Sequence, residues 1–120
     1  MLNKTWPAIL AAVLLSGASA GAQPRDADPL PLTRIRAVVE SHRPAINRCY
    51  TTAHRERPGT PHHIEMTFRI QPNGRVTNVT FPLTAWNQSL GFCIGRLMQA
   101  WQFPRPSDGS TMTVEYPFDF

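Results

Sequence analysis

Ile64-Glu65-Met66-Thr67-Phe68-Arg69-Ile70-Gln71-Pro72-Asn73-Gly74-Arg75-Val76-Thr77-Asn78-Val79-Thr80-Phe81 decides the fold. Ile64, Met66, Phe68 and Ile70 share one parity, and Glu65, Thr67, Arg69 and Gln71 share the other. Strict alternation puts apolar side chains on one side of a strand and polar ones on the other, so this strand has one buried face. Pro72-Asn73-Gly74 reads as a tight turn, because asparagine and glycine accept the left-handed backbone it needs. A second strand follows through Val76, Val79 and Phe81. Its apolar parity changes between Val76 and Val79, which predicts a bulge or a local twist.

Outward from this hairpin the period becomes helical on both sides. Upstream, Ile35, Val38, Val39, His42, Ile46, Cys49, Tyr50 and Ala53 recur at spacings of three and four, with Thr33 as the candidate N-cap. Pro44 interrupts this stripe, since a proline inside a helix removes a hydrogen bond and crowds the preceding turn. The expectation is two helical pieces with Pro44 in the first turn of the second, or one helix kinked there. Pro58-Gly59-Thr60-Pro61 ends the segment. Downstream, Leu90, Cys93, Ile94, Leu97, Met98 and Trp101 predict an amphipathic helix from about Asn87 to Gln102, stopped by Pro104 and Pro106. Gly91 and Gly95 weaken that helix or let another element approach it closely.

The cleanest alternation is the last. Met112, Val114, Tyr116, Phe118 and Phe120 interleave with Thr111, Thr113, Glu115, Pro117 and Asp119. Pro117 cannot donate to a ladder, so that end faces solvent or an open edge. The order helix, strand, strand, helix, strand predicts an α+β two-layer sandwich: a three-stranded antiparallel sheet with the amphipathic helices on one face. Ile46, Tyr50, Phe68, Ile70, Leu97, Trp101, Tyr116 and Phe118 are the expected core.

The start of the chain reads as an export signal. Lys4, the only lysine, precedes an apolar run from Ala8 to Leu15 and the small residues Ser16 to Ala22. These are the three parts of a cleaved signal peptide, over residues 1–22, with cleavage after Ala20 or Ala22. The apolar run is short of the roughly 20 residues of a membrane span, so no stable span is expected after cleavage. Residues 23–32, with Pro24, Pro29 and Pro31, read as an extended tether, and residues 33–120 as one small domain. The formal net charge of +4 falls by one without Lys4 and reads first as a solubility feature. Export argues against a nucleic-acid partner.

Cys49 and Cys93 lie on the apolar stripes of the two helical segments, and both stripes face one core. In an exported chain with two cysteines the expectation is a disulfide between them, buried against Tyr50 and Leu97. It would close a loop of about 45 residues and contribute about 4 kcal/mol in the chain-entropy account. The alternative is two free thiols packing as small hydrophobes.

Ile46-x-x-Cys49-Tyr50, Phe68-x-Ile70-x-x-x-Gly74-x-Val76, Cys93-x-x-x-Leu97-x-x-x-Trp101-x-Phe103-Pro104 and Val114-x-Tyr116-Pro117-Phe118 occur in that order. The ordered set resembles the AgmX/PglI-type C-terminal domain, which is related to the C-terminal domain of TonB, over about residues 33–120. The resemblance implies a non-catalytic periplasmic domain that binds other cell-envelope proteins, TonB-type domains offering a sheet edge to a partner strand. Those families carry a membrane anchor and a proline-rich spacer, which this sequence does not display, so a freestanding version of the domain is expected. As the resemblance is bacterial, the glycosylation triplets at Asn78 and Asn87 are taken as chance.

Enzyme chemistry is not expected. His42, His54, His62 and His63 offer bases by type, but both cysteines sit in apolar stripes, which raises a thiol pKa. No cofactor and no metal site is expected: His62 and His63 are neighbours and project to opposite faces of a strand, and His42 falls on the helix stripe as a packing residue. Most aromatics fall on inward stripes; Trp86 caps the core or marks a contact surface. The candidate partner-binding edge is the last strand, with Thr113, Glu115, Pro117 and Asp119 on its polar parity, and the candidate partner is another envelope protein. The competing reading is a disulfide-stabilised secreted structural or stress-related protein without a dedicated partner.

Overall fold

The computed structural model describes residues 28–120; the signal-peptide reading and the first part of the tether lie outside these residues. The elements are α1 (Leu32–Ser41), α2 (Arg43–Glu56), β1 (His63–Ile70), β2 (Val76–Thr80), α3 (Gln88–Met98) and β3 (Met112–Asp119). The sheet is antiparallel throughout, in the order β2-β1-β3. The fold is the expected α+β arrangement, with the first helical stretch broken into two pieces. The break is at His42 (φ −103°, ψ 7°), and Pro44 is the second residue of α2, where its missing N–H loses no intrahelical bond. As the N-cap of α2, His42 accepts at its carbonyl from Ala45 and Ile46.

Alternation decides the sheet faces. Ile64, Met66, Phe68 and Ile70 are buried, as are Val76, Val114, Tyr116 and Phe118. Glu65, Arg69, Thr113 and Asp119 are exposed on the other face. The helices cover the apolar face with Ile35, Val39, Ile46, Ala53, Leu90, Ile94 and Met98. Trp101 and Phe103, leaving α3, close the core beside Phe68. The expected parity change in β2 is a bulge: Thr77 pairs with Arg69 and Thr80 with Thr67, leaving an extra residue between them, and Asn78 there has a left-handed φ of 54°.

Several expectations are corrected. Pro31, not Thr33, is the N-cap of α1: its carbonyl accepts from Arg34 and Ile35, and Thr33 is already the second residue of the helix. Leu30, in the stretch read as tether, is 2% exposed in the core, and the Pro29 carbonyl accepts from the Ser107 N–H. Its apolar side chain has a place in the core that its proline-rich surroundings do not indicate. Tyr50 and Leu97 are half-buried at the core margin, not inside it. The Tyr50 hydroxyl pairs with His62 Nδ1 at 2.8 Å, so the ring keeps its polar end outward. α3 ends at Met98 rather than Gln102, and Trp101 N–H bonds the Met98 carbonyl in a final tight turn.

Two glycines are fixed by close approach. Gly74 has φ +84°, and a Cβ there would meet the Phe103 carbonyl oxygen, whose own N–H bonds the Gly74 carbonyl at 2.9 Å. A Cβ on Gly91 would run into the Phe81 ring, which packs against α3 at that point. Gly95, one turn later, has only an ordinary contact to Val79 at 3.6 Å. Gly91→Ala should therefore destabilise by about 1–3 kcal/mol through overpacking. Gly95→Ala should stabilise by about 0.5–1 kcal/mol through helix propensity. Thermal denaturation of the two variants checks this, and equal effects of one sign would contradict it.

Candidate functional site

Two features stand out on the surface: the disulfide groove between α2 and α3, and the outer edge of β3. Cys49 and Cys93 are bonded, with Cα atoms 5.7 Å apart. Cys49 is 3% exposed, whereas Cys93 is half-buried. The bridge forms the floor of a groove of about 320 Å³ lined by Thr52, Glu56, Ser89, Phe92 and Arg96. Tyr50, expected beside the bridge, is turned away from it. Its ring stacks on Phe120 at 4.7 Å, at the end of β3. The reason is rotational: Cys49 and Tyr50 are adjacent on a helix and point about 100° apart.

β3 is an edge strand with eight residues in unbroken register against β1, from His63↔Asp119 to Ile70↔Met112. The Phe120 N–H bonds the His62 carbonyl, which sets the phase of the ladder. In an antiparallel pair, hydrogen-bonded and non-bonded positions alternate. Even-numbered residues of β3 therefore bond to β1, and the main-chain groups of Thr113, Glu115, Pro117 and Asp119 point to the open side. Pro117 is placed where its missing N–H costs the β1 ladder nothing. All four candidate edge residues thus share one orientation and lie opposite Arg69, Thr67, Glu65 and His63. The β2 edge differs. It is five residues long and bulged, and Arg75 is bridged to Gln102 across its start.

Beside the β3 edge, on the helix side, a groove of about 580 Å³ runs between α2 and the end of β3. Glu40, Arg43, Asn47, Tyr50, Thr51, Asp119 and Phe120 line it. Arg43 bonds Glu40 at 2.6 Å and holds its carboxyl below the ordinary value, and its guanidinium lies over the Phe118 ring. On the sheet side, His63 Nδ1 is 2.6 Å from Asp119 Oδ1 and His63 Nε2 is 3.7 Å from Glu65. The Asp119 hydrogen bond, with Glu65 adding to it, raises the His63 pKa.

His42 and His54 make other contacts. His42 stacks on Trp101 at 4.7 Å, and His54 stacks on Tyr50. No group of three or more metal-ligating side chains occurs among the described residues. No helix among them is long and apolar enough to cross a membrane. Trp86 lies on the surface, 55% exposed, with its ring against Gly59 and the Arg57 guanidinium 5.2 Å from its centroid. Sequence reasoning missed Thr60, whose buried hydroxyl donates to the Ala53 and Arg57 carbonyls and closes α2. Its place in Pro-Gly-Thr-Pro was the available signal.

Two outcomes follow from this geometry. Replacing both cysteines by serine should cost about 4 kcal/mol, read as a lower urea midpoint; an unchanged midpoint would contradict the assigned role. His63, with its folded pKa raised, contributes stability that is full below its unfolded value of about 6.5 and is lost as pH rises through the folded value. The stability gap between the native chain and Asp119→Asn should therefore be widest in mild acid and close toward alkaline pH. An NMR titration should show the His63 ring losing its raised pKa in that variant, and an unmoved titration would contradict the pairing.

Comparison of the chain with protein-family models, with characterised proteins and with solved structures found no match.

Proposed function

We propose that this chain is a non-catalytic, periplasmic cell-envelope module of the TonB C-terminal type, which binds another envelope protein by adding a partner strand to the edge of β3. The observation that carries the reading is the outward row of main-chain groups at Thr113, Glu115 and Asp119 on a strand that, among the described residues, pairs on one side only. An extended segment can complete such a row by main-chain hydrogen bonding. The motif resemblance supports the same edge, and a disulfide in a small domain fits an oxidising compartment. A second reading, a secreted structural or stress-related protein without a dedicated partner, draws on the disulfide alone.

Proline substitution separates main-chain docking from side-chain effects. Thr113→Pro removes an outward N–H and leaves the β1 ladder complete, so its melting temperature should stay near that of Thr113→Ala. Val114→Pro removes an inward N–H of the ladder and should destabilise by about 3 kcal/mol or more. A photo-crosslinker at Glu115 in intact cells should capture one reproducible envelope protein, and Thr113→Pro should abolish that product. Capture that survives Thr113→Pro would contradict strand addition, and no product from the native chain would favour the second reading.

A further inference from the structure

Charge is distributed unevenly over this basic chain, and the open edge has the minority sign. β3 contains Glu115 and Asp119 and no arginine. Glu65, on β1, faces the same side of the sheet two strands from any added neighbour, and Glu40 lines the groove on the helix side. Four of the chain's eight acidic residues thus flank one edge, against Arg43, which pairs Glu40 in the groove, and Arg69, opposite Thr113 on the polar face, so Glu115 and Asp119 leave the edge net negative. α1 and α2 carry Arg34, Arg36, Arg43, Arg48 and Arg55 against Glu40 and Glu56. Glu115 has no ion-pair partner among the described residues, and the Asp119 side chain is 74% exposed beside its single bond to His63.

From this we infer that the strand accepted by β3 is a cationic one: an extended peptide segment with lysine or arginine at alternate positions and apolar residues between them. The inference rests on the edge-binding reading and adds the partner's chemistry to it. A strand laid against β3 places every second side chain beside Thr113, Glu115, Pro117 and Asp119, where opposite charges across a strand pair are favourable and like charges are not. Its other side chains turn to the helix-side groove, where the stacked rings of Tyr50 and Phe120 offer an apolar wall. A second copy of this chain is a poor occupant. Edge-to-edge pairing of two β3 strands would bring Glu115 and Asp119 of both copies onto the same face of one short ladder. Pro117 adds a constraint, since the partner carbonyl opposite it finds no donor.

Two synthetic peptides test this, one alternating lysine with valine and one alternating glutamate with valine. The lysine peptide should bind the native chain about tenfold more tightly, with a preference that weakens as salt rises. Its binding should shift the amide resonances of Thr113, Glu115 and Asp119. The variant with both Glu115→Lys and Asp119→Asn should lose the preference, and Thr113→Pro should weaken both peptides. Equal binding of the two peptides at those amides overturns the charge inference while the edge reading stands. Failure of both to move those amides overturns the edge reading itself. A lysine preference that persists in Thr113→Pro or in the double variant places the attraction elsewhere and overturns the inference.

Discussion

β1 is the constraint on which the rest of the structure depends. Among the described residues it is the only strand with neighbours on both sides, and its inner residues Ile64, Met66, Phe68 and Ile70 are all within 2% of full burial. Its main-chain groups are divided by parity. Odd positions serve β2, as the Gln71 N–H to the Arg75 carbonyl shows, and even positions serve β3. One strand thus sets the register of both neighbours and supplies the middle of the core. A one-residue slip would turn every apolar side chain to the wet face, so the hydrophobic pattern itself enforces the register.

The helical layer is locked onto that sheet by contacts distant in sequence. The Cys49–Cys93 bridge ties α2 to α3, Gly91 lets Phe81 lie against α3, and the segment after α3 returns to bond Gly74 and Asn73. These contacts cover the β2 side. α2 reaches over β3 with Arg43 and Tyr50 but leaves its outer main chain free. Among the described residues, the asymmetry leaves one long, regular, unpaired edge. Natural edges are commonly blunted by prolines and charges. Here Pro117, Glu115 and Asp119 stand on the edge to which the proposed partner strand would add.

Most of the fold was legible because local periodicity and tertiary burial agree. The strict parity of β1 and β3, the turn at Pro72-Asn73-Gly74, the bulge announced by Val76 and Val79, and the break near Pro44 are local properties with one physical reading each. What was not legible depends on neighbours far along the chain. Gly74 reads as a turn residue, and nothing local indicates that the Phe103 carbonyl crowds it. The helical period runs on through Trp101, but α3 stops at Met98 because the chain must turn to bring Trp101 over His42 and Phe103 under Phe68. The outward parity of Thr113, Glu115, Pro117 and Asp119 was readable, whereas the helix-side groove required knowing that α2 rather than α3 lies over β3.

Amide hydrogen exchange along β3 measures the state of this edge residue by residue. An open edge predicts a strict alternation: slow exchange at Val114, Tyr116 and Phe118, whose N–H groups point to β1, and fast exchange at Thr113, Glu115 and Asp119. Slow exchange at all six would mean that the outer row is already occupied in the free protein, and would contradict the account.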